Sequence, residues 1–237
     1  MLYNLQFSQV LFLDIETVPA SPKFDDLSER MQKLWVKKAD KIRKSEDETA
    51  GELYSRAGIY SEFGKIIVIS VGFLNGHEFR IKSFYSDNEK LLLEEFAELL
   101  NRYYNYPDSL LCAHNGKEFD FPYIARRMVI NGIDLPLILQ IAGKKPWEIK
   151  HLDTMELWKF GDYKNYTSLD LLTAIFDIPT PKDDIDGSMV GGIYWEQHDL
   201  ERIKEYCQKD VLAIAQLMRR YLNQPLLAED QIVLAQQ

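Results

Sequence analysis

Residues 9–20 read QVLFLDIETVPA, an apolar run that contains two acidic residues and is broken by a proline. The run is rich in β-branched and aromatic residues, and its continuity predicts a strand that is buried on both faces. Side chains alternate along a strand, so Asp14 and Glu16 point to the same face, near the end of the strand. The fold therefore has to offset the cost of burying two carboxylates on one face of a strand.

Two interpretations account for this pair of acids. Like charges at this distance repel each other, and the pKa of one carboxyl group rises unless a cation neutralises both. Oxygen ligands favour Mg²⁺ or Mn²⁺ over zinc as that cation. The alternative is that the strand ends at Asp14 and that both acids are solvated loop residues, and the Asp-x-Glu pattern is too common to decide between the two.

Length and composition predict one domain that covers residues 1–237. The chain has 46% hydrophobic residues, which is enough for a core that folds unaided. No apolar run is long enough to span a bilayer and no secretory signal pattern is present, so we expect a soluble, cytoplasmic protein without membrane contact. Cys112 and Cys207 lie in apolar segments with no Cys/His cluster, which predicts two small buried residues without a disulfide or a zinc site. The net charge of -9 argues against a protein that coats duplex nucleic acid nonspecifically.

The order of predicted elements favours a mixed α/β sheet covered by helices. A strand is followed by residues 24–60, a charged segment with apolar residues at helical spacing, which we interpret as a helical insertion with too few large apolar residues for a core of its own. Next comes a β-hairpin whose turn is Asn75-Gly76, and then a strand and mostly helices. Residues 177–194 contain two prolines and three glycines and are predicted to form a long loop.

A third carboxylate, Asp120, lies in HNGKEFDFPYIARR, early in a predicted helix that follows a short buried strand. An acid at this position stabilises a helix through its dipole, so a purely structural role is open. However, Asn115 and Gly116 form a turn at the end of the strand, where α/β proteins commonly carry their sites.

A fourth carboxylate, Asp210, lies on the last predicted helix in the stretch YCQKD. Tyr206 is four residues earlier and shares its face. Alone, this pair is typical of an ordinary helix boundary, with a half-buried tyrosine and an exposed acid. Taken together, the three groups each bring a carboxylate to the edge of the sheet.

The stretches DIET, NGKEFDFP and YCQKD, in this order, resemble the three exonuclease motifs of the DEDD superfamily of 3'–5' exonucleases. The tyrosine in the third motif is similar to that of the DEDDy branch. The likeness extends to the proofreading exonuclease domain of family-B DNA polymerases and to stand-alone bacterial exonucleases related to it. The resemblance covers nearly the whole chain and implies an RNase H-like fold, in which a mixed β-sheet is flanked by helices.

The resemblance also implies a site that holds two metal ions, Mg²⁺ or Mn²⁺. Asp14, Glu16 and Asp210 would bind one ion, and Asp14 and Asp120 would bind the second. Tyr206 would hydrogen-bond the attacking water, because its ordinary pKa near 10 makes it a poor base.

Substrate contacts are predicted at four further positions. Thr17 and Asn115 are expected to lie near the terminal nucleotide by analogy with the family motifs. Phe119 is a candidate for stacking on a terminal base, whereas Phe121 is assigned to the core. Lys182, in the predicted loop, is a candidate phosphate contact.

The expected activity is metal-dependent 3'–5' hydrolysis of single-stranded DNA ends with release of nucleoside 5'-monophosphates. An exoribonuclease is an alternative, since the choice depends on how the site meets the 2'-OH. A non-catalytic protein that binds nucleic-acid ends, or a protein partner through the 24–60 insertion, is another. The chain shows no polymerase region, so proofreading is expected to act in trans or to be replaced by DNA repair. Asp153 is predicted to cap the helix that follows it, and His151 to be structural.

Overall fold

The computed structural model describes residues 5–162, 164–179 and 185–235, which form one mixed sheet with helices on both faces. Six strands lie in the order β5-β4-β1-β2-β3-β6. Their bounds are β1 Val10–Pro19, β2 Gly64–Asn75, β3 Glu78–Tyr85, β4 Leu110–Ala113, β5 Leu152–Asp153 and β6 Ile232–Leu234. This arrangement confirms the predicted RNase H-like α/β fold. Lys182 lies outside the described residues.

The helices pack on the two faces of the sheet. Their bounds are α1 Glu29–Ile42, α2 Glu89–Tyr103, α3 Asp120–Ile130, α4 Thr154–Lys159, α5 Leu169–Ile175, α6 Val190–Gly192 and α7 Leu200–Tyr221. Within the described ranges, none of these helices is both long and apolar enough to cross a membrane.

Strand β1 lies at the centre of the sheet, and its alternating side chains supply two cores. Leu11 and Leu13 face the cluster that includes α2 and α3, whereas Val10 and Phe12 face the cluster that includes α7. This alternation follows from the period of two along a strand. The position of β1 therefore fixes α3 on one side and α7 on the other.

The pairing of β1 differs at its two edges. It pairs antiparallel with β2 along most of its length, and Asp14 lies opposite Ser70. It pairs parallel with β4 only over residues 10–12. Beyond Phe12 that edge of β1 is not covered by β4, which leaves room for the start of α3.

The strand does not end at Asp14, so the interpretation of the acids as solvated loop residues is wrong. β1 continues to Pro19, and Glu16 is only 7% exposed. Ile15 lies between the two acids and points to the opposite face of the strand, where it is buried. Burial of Ile15 holds the backbone extended through the acids. Asp14 and Glu16 consequently sit within the strand.

The hairpin of β2 and β3 forms as predicted, and the loop after α5 forms only in part. The two turn residues of the hairpin are Gly76 and His77 rather than Asn75 and Gly76, because Asn75 is the last residue of β2 and pairs with Glu78. Gly76 has a φ of +64°, which a glycine adopts without steric cost.

The loop was predicted to extend over residues 177–194, but residues 190–197 are helical. There α6 continues directly into a π-helical turn, Ile193–Gln197. Val190 and Ile193 are buried in a cluster with Val18 of β1. This apolar packing stabilises the helical turns, although the glycines in the sequence favour a loop.

Residues 24–60 form α1 and a 3-10 helix, Glu52–Ile59, which we call the 52–59 turn. The prediction that this segment has no core of its own is wrong. Trp35 and Tyr54 are at most 2% exposed, and their rings meet edge to face at 5.4 Å. Two large aromatic side chains bury enough area to order a segment that has few apolar residues.

Candidate active site

The carboxylates of Asp14 and Glu16 face α7, in line with Val10 and Phe12 on β1. The apolar residues on either side of them on this face are buried. Val10 and Phe12 pack in one cluster with Val211 of α7, and Val18 packs in another with Cys207 of α7. The apolar packing thus fixes the two acids against the middle of α7.

Cys207 of α7 contacts Asp14 directly. Its Sγ lies 3.3 Å from Asp14 Oδ2 and 3.4 Å from the Asp14 carbonyl oxygen. The ligand atoms of Asp14, Glu16 and Cys207 lie within 4.8 Å of one another. Burial, followed by the charges of the two acids, raises the pKa of the Cys207 thiol, so the sulfur keeps its proton and acts as a donor to Asp14.

Asp120 lies close to Asp14 and Glu16, at the edge of β1 that β4 leaves open. It is the first residue of α3 and is 3% exposed. Its carboxylate accepts hydrogen bonds from its own backbone N–H and from the N–H of Ile15. Because β4 leaves this edge of β1 open, Asp120 takes the place of a neighbouring strand there.

Tyr206 and Asp210 lie one turn apart on α7, and the Tyr206 hydroxyl forms a side-chain hydrogen bond with Asp210. Burial raises the pKa of Tyr206 far above its ordinary value, and the charges of Asp210, Glu16 and Asp14 raise it further. The phenol therefore keeps its proton at neutral pH and serves as a hydrogen-bond donor.

The pKa values of Asp14, Glu16 and Asp120 are all raised, and neighbouring carboxylates contribute to each shift. For Asp14 the causes are burial first, then the charges of Asp210, Glu16 and Asp120. Burial also raises the pKa of Glu16, with Asp210 and Asp120 adding to it. The pKa of Asp120 is raised to about 7, chiefly by burial, although two backbone N–H groups oppose the shift. Buried carboxylates gathered in this way gain most from a hard divalent cation, which removes both the desolvation cost and the repulsion.

The donor atoms fit such an ion. Asp14, Glu16, Asp120 and Asp210 supply carboxylate oxygens, the ligands that Mg²⁺ and Mn²⁺ prefer. The sulfur of Cys207 lies beside them, but Mg²⁺ and Mn²⁺ are hard ions that prefer oxygen to sulfur, so the carboxylates are the expected ligands.

Asp14, Glu16 and Asp210 open into a cleft of about 550 Å³, whereas Asp120 is not among the residues that line it. Its lining includes Asp14, Glu16, Thr17, Phe119, Tyr206 and Asp210, together with Ser55, Arg56, Gly58 and Ile59 from the 52–59 turn and Gly187, Ser188 and Gly191 from the segment before α7. Segments far apart in the sequence therefore meet at one concave surface, the usual form of a ligand site.

The predicted substrate residues occupy different positions around this cleft. Thr17 and the half-buried Phe119 line it, and the ring of Phe119 packs on Tyr123 at 5.3 Å. Phe121 is fully buried in the core, as predicted. Asn115 is not among the lining residues; it has a φ of +63°, and its side-chain oxygen is buried without a hydrogen bond within the described part of the chain.

Sequence reasoning missed three contributors to the site. Cys207 lies inside the YCQKD motif, so its contact with Asp14 was available from helical spacing, because residues 207 and 210 are one turn apart. Asp153 caps α4 as predicted, but it also binds the turn that leads to Asp120. Nothing in the sequence of residues 24–60 indicates that Arg56 lines the cleft.

Comparison with known families assigns the chain. Residues 59–225 match the family described as "Predicted 3'-5' exonuclease related to the exonuclease domain of PolB". The chain belongs to this family. The matched range contains Asp120, Tyr206 and Asp210 but begins after β1, so Asp14 and Glu16 join the site on geometry alone.

A solved structure supports the same fold for this member of the exonuclease family. The structure of the family B DNA polymerase from the hyperthermophilic archaeon Pyrobaculum calidifontis matches with a TM-score of 0.52 and 13% identity. The match covers 90% of this chain and 24% of the polymerase chain, so the chain corresponds to about a quarter of that polymerase.

Proposed function

We propose that the protein is a metal-dependent 3'–5' exonuclease that hydrolyses phosphodiester bonds at single-stranded DNA 3' ends and releases nucleoside 5'-monophosphates. The observation that carries this proposal is the convergence of four carboxylates in a chain of the exonuclease family. Asp14, Glu16 and Asp210 line one cleft, and the buried Asp120 of α3 lies close enough for its charge to raise the pKa of Asp14. Nothing in the packing of the core calls for four acids at one place, and they are costly without a cation.

In the proposed site, Asp14, Glu16 and Asp210 hold one divalent ion, and Asp14 and Asp120 hold a second. When bound, Mg²⁺ or Mn²⁺ would acidify the attacking water and stabilise the charge that develops on the leaving 3' oxygen. Since the acids are fixed by the sheet and by two helices, the protein meets this requirement without reorganisation.

The other side chains of the cleft are proposed to orient the attacking water and to bind the terminal nucleotide. Tyr206 donates a hydrogen bond, and with its raised pKa it orients the attacking water rather than removing a proton from it. Thr17 and Phe119 line the cleft beside the acids and are proposed to hold the terminal nucleotide, Phe119 by stacking on its base. Asn115 is proposed to contact the sugar-phosphate after a side-chain rotation that frees its buried oxygen.

The test uses a 5'-labelled single-stranded oligonucleotide with purified protein and Mg²⁺ or Mn²⁺. We expect a ladder that shortens from the 3' end, release of 5'-monophosphates, and no hydrolysis by Asp14→Ala or Asp210→Asn. Equal behaviour of the wild type and Asp14→Ala would show that the activity does not come from this site.

Matched DNA and RNA oligonucleotides decide the polymer. We propose DNA, because the family is related to the exonuclease of a DNA polymerase family. Faster hydrolysis of the RNA would instead make the protein an exoribonuclease.

We further propose a role in DNA repair. We also propose that a protein partner binds through the exposed face of α1 in residues 24–60. Recovery of the same partners by a protein lacking α1 would contradict this binding surface.

A further inference from the structure

The 52–59 turn is a wall of the cleft, and this gives residues 24–60 a role in the site itself. Ser55, Arg56, Gly58 and Ile59 line the same cleft as Asp14, Glu16 and Asp210. We propose that Arg56 binds a backbone phosphate of the single strand that enters this cleft. The inference rests on the proposed function, because it names a substrate contact of the same site.

The wall is fixed to the strand that carries the acids. The Tyr123 hydroxyl of α3 donates a 2.7 Å hydrogen bond to the Gly58 carbonyl oxygen and interacts with the side chain of Thr17 on β1. Gly58 lies so close to β1 that a Cβ there would be 3.0 Å from the carbonyl carbon of Val18. The backbone of the turn is thus held in place relative to the acids.

The other end of the turn is held by its own aromatic core. Tyr54 is 2% exposed and packs edge to face on Trp35, while its hydroxyl accepts a 3.3 Å hydrogen bond from the backbone N–H of Ser21. The neighbouring residue Arg56 points outward and is exposed. A rigid backbone that presents a long cationic side chain to a cleft is a preorganised way to bind an anion.

The charges that line the cleft show why a cation is useful there. Asp14, Glu16 and Asp210 present negative charge, and Arg56 is the one Lys or Arg among the described lining residues. A polyanionic strand needs a local positive group at some distance from the acids to enter such a cleft. The guanidinium suits this task because its planar set of donors matches two phosphate oxygens.

The Arg56 side chain is available for this contact. Within the described ranges no ion pair or hydrogen bond to another side chain holds its guanidinium. Its charge contributes to lowering the pKa of the exposed Glu48, after the larger effects of the backbone N–H groups of Lys44 and Ser45. Arg56 lies outside the matched residues 59–225, as do Asp14 and Glu16.

The main experiment compares Arg56→Ala with Arg56→Lys and with Arg30→Ala. Arg30 is an exposed arginine on α1 that does not line the cleft, so it controls for the loss of one positive charge. For Arg56→Ala we expect KM for single-stranded DNA to rise about 10-fold with kcat little changed. The slope of log KM against log salt concentration should become shallower by about 0.7, the contribution of one phosphate contact on a single strand. Arg56→Lys should recover part of the loss, and Arg30→Ala should behave as the wild type.

A binding measurement separates this inference from the proposed activity. Asp210→Asn and the Asp210→Asn/Arg56→Ala double variant are titrated against a fluorescein-labelled oligothymidylate, which requires no hydrolysis. A weaker and less salt-dependent affinity of the double variant supports the contact. An unchanged affinity overturns it, even if the wild type proves to be an active exonuclease.

Neutral methylphosphonate linkages identify the phosphate that is bound. In the protein that retains Arg56, a neutral linkage at one position of the oligonucleotide should weaken binding. The same neutral linkage should have no effect on the affinity of the protein with Arg56→Ala. If the two changes are additive at every position, Arg56 does not contact a phosphate and the inference is wrong.

Discussion

The Asp153 carboxylate accepts a hydrogen bond from the backbone N–H of Asn115 at 3.0 Å and thereby joins the end of β5 to the turn that leads to Asp120. Its other oxygen accepts the N–H of Lys117 at 3.1 Å, while the first also caps α4 through the N–H groups of Met155 and Glu156. Asp153 is 3% exposed, so these bonds are shielded from water. One buried carboxylate thus sets the conformation of the turn immediately before the start of α3.

Asp153→Asn should lower both stability and activity. The amide keeps an acceptor oxygen for one side of the turn but presents an NH₂ group to the other, leaving an N–H unpaired. Hydrogen bonds to a charged group contribute about 1.5–3 kcal/mol, and we expect a loss of that size in the free energy of unfolding by urea. The kcat of the proposed reaction should fall because Asp120 loses its fixed position, and unchanged kcat in a destabilised variant would limit Asp153 to a capping role.

Tyr206→Phe should retain the fold and lose most of the turnover. The phenol lies on the face of α7 beside Asp210, and its removal deletes one donor without opening a core cavity. We expect kcat to fall about 100-fold, at the lower end of the range for a group that assists proton transfer, with KM little changed. The thermal unfolding midpoint is the control, and a fall in kcat that is matched by a large drop in that midpoint would point to a structural role instead.

Gly58→Ala should displace the 52–59 turn from β1. The added Cβ would lie 3.0 Å from the Val18 carbonyl carbon and 3.2 Å from the Pro19 nitrogen, and neither backbone atom moves easily. Overpacking of this kind costs about 1–3 kcal/mol. Gly51→Ala is the matched control, since a Cβ at that position has no described heavy atom within 4 Å. Faster proteolysis within residues 24–60 for Gly58→Ala alone is the expected result, and equal rates would contradict the close packing of this wall.

His151 should make the protein less stable as the pH falls. Its Nδ1 accepts the N–H of Leu111 at 3.3 Å, and its Nε2 lies 2.9 Å from the Ile138 carbonyl oxygen, which requires the neutral ring. Burial lowers the pKa of His151 to about 4. The unfolded chain, with a pKa of about 6.5, binds this proton first, so stability is lost as the pH falls from about 6.5 towards 4. Urea unfolding across this range should show a shallower pH dependence for His151→Gln, and an identical dependence would contradict the assignment.

Divalent metal should stabilise the folded protein through the four acids. At a free Mn²⁺ or Mg²⁺ concentration of about 100 times Kd, linkage predicts about 2.7 kcal/mol of added stability. The pKa of Asp120 is about 7, so deprotonation of this group accompanies binding and the thermal shift should grow as the pH rises through that value. Asp120→Asn and Asp210→Asn should reduce the shift, and a shift of the same size in both variants would place the ion elsewhere.

Much of the fold follows from local sequence patterns. The continuous apolar run of QVLFLDIETVPA, the β2–β3 hairpin and the apolar stripe of α7 each depend on neighbours in the chain, and each forms as predicted, although the hairpin turns one residue later than Asn75-Gly76. The short strand β6 was not predicted, because its three residues become a strand only by pairing with the edge of β3. The aromatic cluster of Trp35 and Tyr54 was also missed, because its members are far apart along the sequence and meet only when the 52–59 turn packs on α1.

The sequence by itself determined which carboxylates stand in strand and helix positions from which they can face one another, because strand and helix periods are local properties of the chain. Only the tertiary structure decided that Asp14 and Glu16 are buried within β1, that Asp120 occupies the edge that β4 leaves open, and that Asp210 meets them from α7. The tertiary structure also brought Arg56 and Asp153 to the site. Contacts between residues this far apart depend on how the packed elements dock, and no periodicity along the sequence encodes that docking.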